Sequence, residues 1–291
     1  MKLCWNGEMS IEIIHPEEQT VPLVFASPHS GQHYPNDFIA ASRLDPLSLR
    51  RSEDAFMDEV FASALEHGAP LLRAQFARAY VDLNREAYEL DPEMFEGQLP
   101  EYVNTKSVRA AAGLGTIARV VSYGEEIYRD KLTFSEAKKR IDTCYKPYHE
   151  ALRRLVESTR EKFGVCLLVD CHSMPSSSSE SRRGKGQNDM VLGDCYGTAC
   201  GPQIVERAEQ VLSEMGLKVT RNDPYAGGYT TRHYSAPKDG IHVLQVEVNR
   251  ALYMDEDRVA RGERLPHLVQ QISHFIRALV ELDRKVLLDS I

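Results

Sequence analysis

Two histidines that accompany short apolar runs could bind one metal ion. His29 lies in the turn Ser27-Pro28-His29-Ser30-Gly31, directly after the run 21–26, and His172 lies within a second run, 165–173. Both runs are typical of buried strands. Open α/β sheets bind ligands at the carboxyl ends of their strands, so we expect the two imidazoles to converge there.

Two imidazoles and one carboxylate form the ligand set of a catalytic zinc site, which keeps a fourth position for water. The carboxylate is expected from a loop or a helix start near His29, where Glu53 and Asp54 are neighbours. The structural alternative for both acids is a favourable interaction with a helix N-terminus. The residues alone leave the third ligand open between Glu53 and Asp54.

Polar groups also interrupt two further apolar runs. The segments 79–83 and 241–248 each lead into an Asn-Arg pair, and Glu247 lies between two valines. Neighbouring residues on a strand point to opposite faces, so Glu247 is predicted to face away from the valines. A buried strand seldom carries such groups without a function, although a core ion pair with an arginine would also explain Glu247.

A cysteine beside His172 suggests a second chemistry, that of a thiol hydrolase. Adjacent residues on a strand cannot pair as nucleophile and base, which argues against Cys171 in this role. The alternative of another class is a module that binds a metal or ligand without catalysis. A salt bridge that holds Glu247 away from the metal would favour it.

Composition restricts the partners of the chain. The net charge of −8 provides no basic surface for nucleic acid. No apolar run approaches the roughly 20 residues of a membrane span, and the amino terminus lacks the apolar segment of a signal peptide. Six scattered cysteines without a C-x-x-C motif suit reduced thiols. We therefore expect a cytoplasmic protein without nucleic-acid or membrane partners.

The elements that position these residues alternate between strand and helix. Strands are predicted over 21–26, 79–83, 165–170, 190–193, 217–220 and 241–248, and helices over 52–67 with Ser52 as N-cap, 135–163 with a kink at Pro147, and 258–288. The alternation indicates one α/β domain over 1–291, a three-layer α/β/α sheet structure. The Ser-rich segment within 174–188 is predicted to be either a mobile surface loop or a lid over the site.

Six motifs resemble those of the N-formylglutamate amidohydrolase family, in the family's order. They span about residues 20 to 256 and are Ser27-Pro28-His29-Ser30-Gly31, Asp54, Val81-Asp82-Leu83-Asn84-Arg85, Asp170-Cys171-His172-Ser173, the segment 227–234, and Gln245-Val246-Glu247. The resemblance implies a mixed sheet between helices, a phosphorylase/hydrolase-like fold of the zinc-carboxypeptidase and aspartoacylase kind. It also implies one zinc ion bound by His29, Asp54 and His172.

The same resemblance implies an activity, the hydrolysis of the linear amide of N-formyl-L-glutamate to formate and L-glutamate in histidine degradation. Another N-acyl amino acid or a carboxypeptidase-like substrate is the close alternative. By resemblance Glu247 is the general base, Arg78 polarises the scissile carbonyl, and Asn84 with Arg85 holds a substrate carboxylate.

Capture of a dianionic substrate by an acidic protein requires local arginines, because the planar guanidinium binds carboxylates in a bidentate manner. Arg232 and Arg250 are further candidates, with an ordinary ion pair as the alternative for each. His233 either lines the pocket or only packs.

Overall fold

The computed structural model describes residues 11–121, 124–179 and 187–289. Its main sheet has seven strands, which are β1 (Ile11–Ile14), β2 (Leu23–Ser27), β3 (Leu71–Ala74), β4 (Cys166–Met174), β5 (Met190–Gly193), β6 (Val219–Arg221) and β7 (Ile241–Asn249). Their spatial order is β1-β3-β2-β4-β7-β5-β6. A separate pair consists of β8 (Met254–Asp255) and β9 (Ala260–Arg261).

Helices flank this sheet, so the predicted α/β class is confirmed. They are α1 (Asn36–Ala41), α2 (Pro46–Arg50), α3 (Met57–Val60), α4 (Val108–Ala111), α5 (Phe134–Arg140), α6 (Lys146–Phe163), α7 (Pro202–Glu214), α8 (Tyr229–Tyr234), α9 (Leu265–Val280) and α10 (Arg284–Asp289). Among the described residues, no helix has both the length and the apolar character needed to cross a membrane.

The central strands separate an apolar face from a polar one. β4 runs parallel to both β2 and β7, whereas β5 is antiparallel to β7, so the sheet is mixed. Alternate residues of β4 and β7, including Cys171 and Val246, belong to the hydrophobic core. The residues between them point to the other face, where His172 lies beside Glu247 in the strand register. The predicted orientations of Cys171 and Glu247 are therefore confirmed.

The described chain forms two compact units. Among the described residues, the larger consists of 13–27, 54–72, 152–179 and 187–289. α9 packs its apolar stripe into the core of this unit, as its spacing predicts, with Leu268, Ile272, Phe275, Ile276 and Leu279 all buried.

Among the described residues, the smaller unit contains 11–12, 28–53, 73–121 and 124–151. It buries the guanidinium of Arg140 over the ring of Tyr80, at 4.5 Å from the ring centroid, while Nη1 donates to the Tyr128 hydroxyl at 2.6 Å. The organisation of 1–291 as one catalytic domain stays a prediction.

The predicted helix over 52–67 is wrong. Only α3 and a short 3₁₀ turn at Ala62–Ala64 are helical there, and Ser52 is not an N-cap because its hydroxyl donates to the carbonyl of Leu49. Phe56 adopts a left-handed backbone with φ of 66°, which interrupts any helix that starts before it. Asp54 therefore lies in an irregular segment and not in a first helical turn.

The predicted strand over 79–83 is also wrong. This segment turns, with the amides of Tyr80 and Val81 both donating to the carbonyl of Ala77. Its apolar side chains are buried, although the segment itself forms no strand. Apolar periodicity reports burial, and it does not distinguish a strand from a buried turn. The edge strand β1 and its neighbour β3 lay outside the predicted set.

The two long predicted helices are interrupted. Residues 135–163 become α5, a π-helical turn at Ile141–Tyr145 and α6, and the π turn ends just before Pro147, where a kink was expected. Residues 258–288 become β9, α9 and α10. Of the segment 174–188, residues 180–186 lie outside the described residues, and the mobility of this loop stays a prediction.

Candidate metal centre

His172 is held between two carboxylates. Its Nδ1 lies 3.0 Å from Oδ2 of Asp54, and its Nε2 lies 2.9 Å from Oδ2 of Asp170, two residues earlier on β4. Burial lowers the pKa of the imidazole, but the nearby carboxylates of Asp170 and Asp54 outweigh burial and raise the pKa of His172 well above its ordinary value. The site thus favours a positive charge at this position.

Asp54 has one oxygen anchored and the other directed at His172. Its Oδ1 accepts from the hydroxyl of Ser173 and from Nη2 of Arg250, each at 3.1 Å. Arg250 also donates from Nε to the same hydroxyl at 3.0 Å, so the three groups form a closed, buried set. Asp54 Oδ2 then faces the imidazole in a fixed orientation.

His29 lies two residues beyond the end of β2 and is fully buried. Its Nε2 lies 2.9 Å from Oδ1 of Asp82. The Asp82 carboxylate also accepts from the amide of Asn84 at 2.9 Å and from Nε of Arg78 at 3.1 Å, with Nη2 of Arg85 at 3.4 Å. Burial raises the pKa of Asp82, but the two arginines and His29 overcome it and hold the pKa well below its ordinary value.

The structure brings His29, Asp54 and His172 together. One ligand atom of each lies within 4.8 Å of the others, and all three side chains are buried. Glu53 is engaged elsewhere, because its carboxylate accepts from the Tyr34 hydroxyl at 2.6 Å and from Nε of Arg50 at 3.1 Å. Of the two adjacent acids, only Asp54 is thus placed with the histidines.

Glu247 is oriented by a neutral amide. Nε2 of Gln245 donates to Oε1 of Glu247 at 2.9 Å. The carbonyl oxygen of the same amide accepts from the backbone N–H of Gly228 at 2.7 Å and is 3.3 Å from the hydroxyl of Thr231. A backbone N–H can only donate, so the amide must present its NH₂ group to Glu247. Gln245 therefore links the start of α8 to the carboxylate.

The predicted arginines occupy different surroundings. Arg85 is buried and donates to the carbonyls of Leu114 and Asn84, each at 2.7 Å, and burial lowers its pKa to about 10. Arg78 is partly exposed. Arg232 lies exposed on α8 and donates to the carbonyl of Gly227 at 3.1 Å. Arg250 is buried against Asp54.

His233, which was expected either to line the pocket or only to pack, stacks on Tyr229 with ring centroids 4.7 Å apart. Burial and the nearby charge of Arg153 lower its pKa.

Sequence reasoning gave no role to three polar residues that contact the candidate site: Asp82, Asp170 and Gln245. Two of them carried a readable signal, because Asp170 and Gln245 lie two residues before His172 and Glu247 and hence on the same strand face. Asp82 has no such signal, since its contact with His29 spans 53 residues.

The comparison with known proteins identifies the family of the chain. The sequence model of one protein family, N-formylglutamate amidohydrolase (FGase), matches residues 21–254. The chain belongs to the N-formylglutamate amidohydrolase family. The N-formylglutamate deformylase of Pseudomonas putida is 30% identical to it over 239 residues, which cover 81% of this chain and 83% of the relative.

Two further members of the N-formylglutamate amidohydrolase family extend the comparison. The N-formylglutamate deformylase of Pseudomonas aeruginosa is 27% identical over 248 residues, covering 84% of this chain and 86% of the relative. The crystal structure of N-formylglutamate amidohydrolase from Ralstonia eutropha JMP134 superposes with a TM-score of 0.89 at 34% identity, covering 95% of this chain and 99% of that structure. The mixed sheet with its flanking helices is thus the fold of this family.

Proposed function

We propose that this chain hydrolyses N-formyl-L-glutamate to formate and L-glutamate with one zinc-type divalent ion held by His29, Asp54 and His172. The observation that carries the proposal is the approach of these three buried ligand atoms to within 4.8 Å of one another. Family membership supplies the substrate. We further assign the sheet to the zinc-carboxypeptidase kind.

The residues present fit such an ion. Two imidazoles and one carboxylate are the ligand set of catalytic zinc sites, and each histidine has its second nitrogen next to an aspartate, as metal-binding histidines commonly do. When bound, the ion supplies a Lewis acid that activates water and polarises the formyl carbonyl. The protein supplies the proton transfer and the binding of the substrate.

Glu247 is assigned as the general base. It accepts a proton from the attacking water as the water oxygen bonds to the formyl carbon, and it returns the proton to the glutamate nitrogen as the C–N bond breaks. Gln245 donates to its Oε1 and so orients the carboxylate for this transfer. The partly exposed Arg78 is assigned to the formyl oxygen, where negative charge develops.

The carboxylates of the substrate are assigned to Asn84, Arg85 and Arg232. Arg85 donates one N–H to each of two carbonyls and lies near Asp82. Because a guanidinium has five N–H donors, donors beyond these two can serve a substrate carboxylate. Arg250 was also predicted to bind substrate, but its position against Asp54 supports a role in orienting that acid.

Formate release and metal content, measured on the same purified preparation, test the proposal. We expect about one zinc per chain and release of formate from N-formyl-L-glutamate. A panel of N-acetyl-glutamate, N-acetyl-aspartate and a dipeptide with a carboxyl-terminal glutamate distinguishes the alternatives. Faster turnover of a panel member than of N-formyl-L-glutamate would identify that compound as the better substrate. Bound zinc without turnover of any substrate would indicate a non-catalytic metal-binding protein.

A further inference from the structure

We propose that Thr231 is a positioning residue for the proton transfer, because its hydroxyl holds the side-chain amide of Gln245, which in turn holds the carboxylate of Glu247. The inference rests on the proposed function, since it needs Glu247 as the general base. All three side chains are buried. Thr231 belongs to α8, whereas Gln245 and Glu247 lie two residues apart on β7 and so share one face of the sheet.

Two donors converge on the side-chain oxygen of Gln245. The backbone N–H of Gly228 donates to that oxygen at 2.7 Å and to the hydroxyl oxygen of Thr231 at 3.2 Å. The hydroxyl of Thr231 in turn donates to the Gln245 oxygen at 3.3 Å. Donors on the oxygen fix the rotation of the amide, so its NH₂ group points toward Oε1 of Glu247, 2.9 Å away.

The backbone that carries these donors is fixed against β5. Gly193 is the register partner of Gln245 on β5, and a Cβ on Gly193 would lie 2.9 Å from the backbone nitrogen of Gly227. Just beyond β5, the N–H of Cys195 donates to the carbonyl of Ala226 at 2.7 Å. The close approach and this hydrogen bond hold the start of α8 beside the amide.

These hydrogen bonds give Thr231 a path to the carboxylate of Glu247 through Gln245. A general base works only in a narrow range of positions, and a displacement of about 1 Å can cost about 10²-fold in rate. Loss of the Thr231 hydroxyl is therefore expected to slow the chemical step and to leave the binding of substrate and metal unchanged.

The test is steady-state turnover of N-formyl-L-glutamate by the full zinc-loaded chain, with zinc content and melting temperature measured on the same preparation. Thr231→Val keeps the shape but removes the hydroxyl, so kcat should fall by about 3–10-fold at unchanged KM and zinc content. Thr231→Ser keeps the hydroxyl and should recover most of the kcat. Gln245→Met removes both ends of the amide and should lower kcat by about 10–100-fold.

A double variant shows whether the two residues act in series. If Thr231 acts through Gln245, adding Thr231→Val to Gln245→Met should lower kcat no further, because the contact is already lost. Independent effects would multiply, and that result would overturn the inference. A Thr231→Val protein with the wild-type kcat would overturn it as well.

The matched control is another buried threonine hydroxyl bonded to a glutamine amide in the same compact unit. Nε2 of Gln19 donates to Oγ1 of Thr159 at 2.9 Å. Thr159→Val should lower the melting temperature and keep the wild-type kcat. An equal fall of kcat in Thr159→Val and Thr231→Val would show that loss of any buried hydroxyl slows the enzyme, and the assignment of Thr231 would fail. If the wild-type chain releases no formate, the proposed function fails together with this inference, whereas the other outcomes leave that function intact.

Discussion

Buried carboxylates surround the candidate metal site, and their partners differ in kind. Asp82 contacts two arginines and Asp54 contacts one, and Glu247 accepts a hydrogen bond from the neutral amide of Gln245. An amide orients a carboxylate without cancelling its charge. The contact with Gln245 is therefore compatible with the proposed role of Glu247 as a base, while the arginine contacts orient Asp54 and Asp82.

Glu247→Gln tests the proton transfer at the residue scale. The change keeps shape and nearly the volume but removes the basic oxygen, so kcat should fall by about 10²–10⁴-fold while zinc stays bound. Metal content, melting temperature and turnover are measured on one preparation. The control Glu12→Gln alters another strand glutamate, one paired with Arg73, and should keep wild-type kcat.

The opposite result for Glu247 has a distinct signature. A core ion-pair role would lower the melting temperature and leave kcat per folded molecule near that of the wild type. That outcome would remove Glu247 from the mechanism and favour a binding module instead of an enzyme.

Arg85 is expected to bind a substrate carboxylate through its remaining donors. Arg85→Ala should raise KM for N-formyl-L-glutamate by about 10–100-fold, the loss expected for a charge-assisted hydrogen bond worth about 1.5–3 kcal/mol. Arg85→Lys should recover little, because an ammonium lacks the planar fork. Unchanged KM with a lower melting temperature would instead assign Arg85 to the support of Asp82.

At the scale of elements, the sequence predicted strands where the apolar run is continuous and the backbone regular. β5 was predicted at its observed bounds, and β4 and β7 within a few residues. The segments 52–67 and 79–83, where the predictions failed, contain Asp54 and Asp82, and there an irregular backbone positions polar side chains. Local periodicity contains no signal for the left-handed Phe56 or for a buried turn.

Gly31→Ala tests how closely the turn that carries His29 must pack. A Cβ at this position would lie 2.3 Å from the carbonyl oxygen of Phe76 and 2.6 Å from the carbonyl carbon of Gln75, which are backbone atoms. The turn must shift, so we expect a loss of about 1–3 kcal/mol in the free energy of unfolding and weaker zinc binding.

Gly97→Ala is the control for Gly31→Ala. A Cβ there meets nothing within 4 Å, although the φ of +68° adds strain. Its unfolding free energy should therefore fall while its Kd for zinc stays that of the wild type. If Gly31→Ala also keeps that Kd, the turn at His29 does not depend on this close approach.

At the scale of the whole molecule, the sequence could not show which distant segments meet. Asp54 is held by Ser173 and Arg250, which lie 119 and 196 residues away from it along the chain. Such pairs are set by strand order and register, which single-sequence patterns do not encode. The family resemblance supplied the choice of Asp54 over Glu53, and the contacts of Glu53 with Arg50 and Tyr34 give its physical reason.

Removal of the metal should therefore lower the stability of the whole folded chain. The three proposed ligands are far apart in sequence, so the unfolded chain does not present them together and zinc should bind the native state selectively. Free zinc at 100 times its Kd would add about 2.7 kcal/mol to the stability. The melting temperature should then fall by several degrees when a chelator removes zinc from the wild type, and recover when zinc is restored.

His172→Ala and His29→Ala should melt at a temperature that neither chelator nor zinc changes, because each lacks a ligand. A full zinc-dependent shift in both variants would place the metal elsewhere in the protein and refute the site.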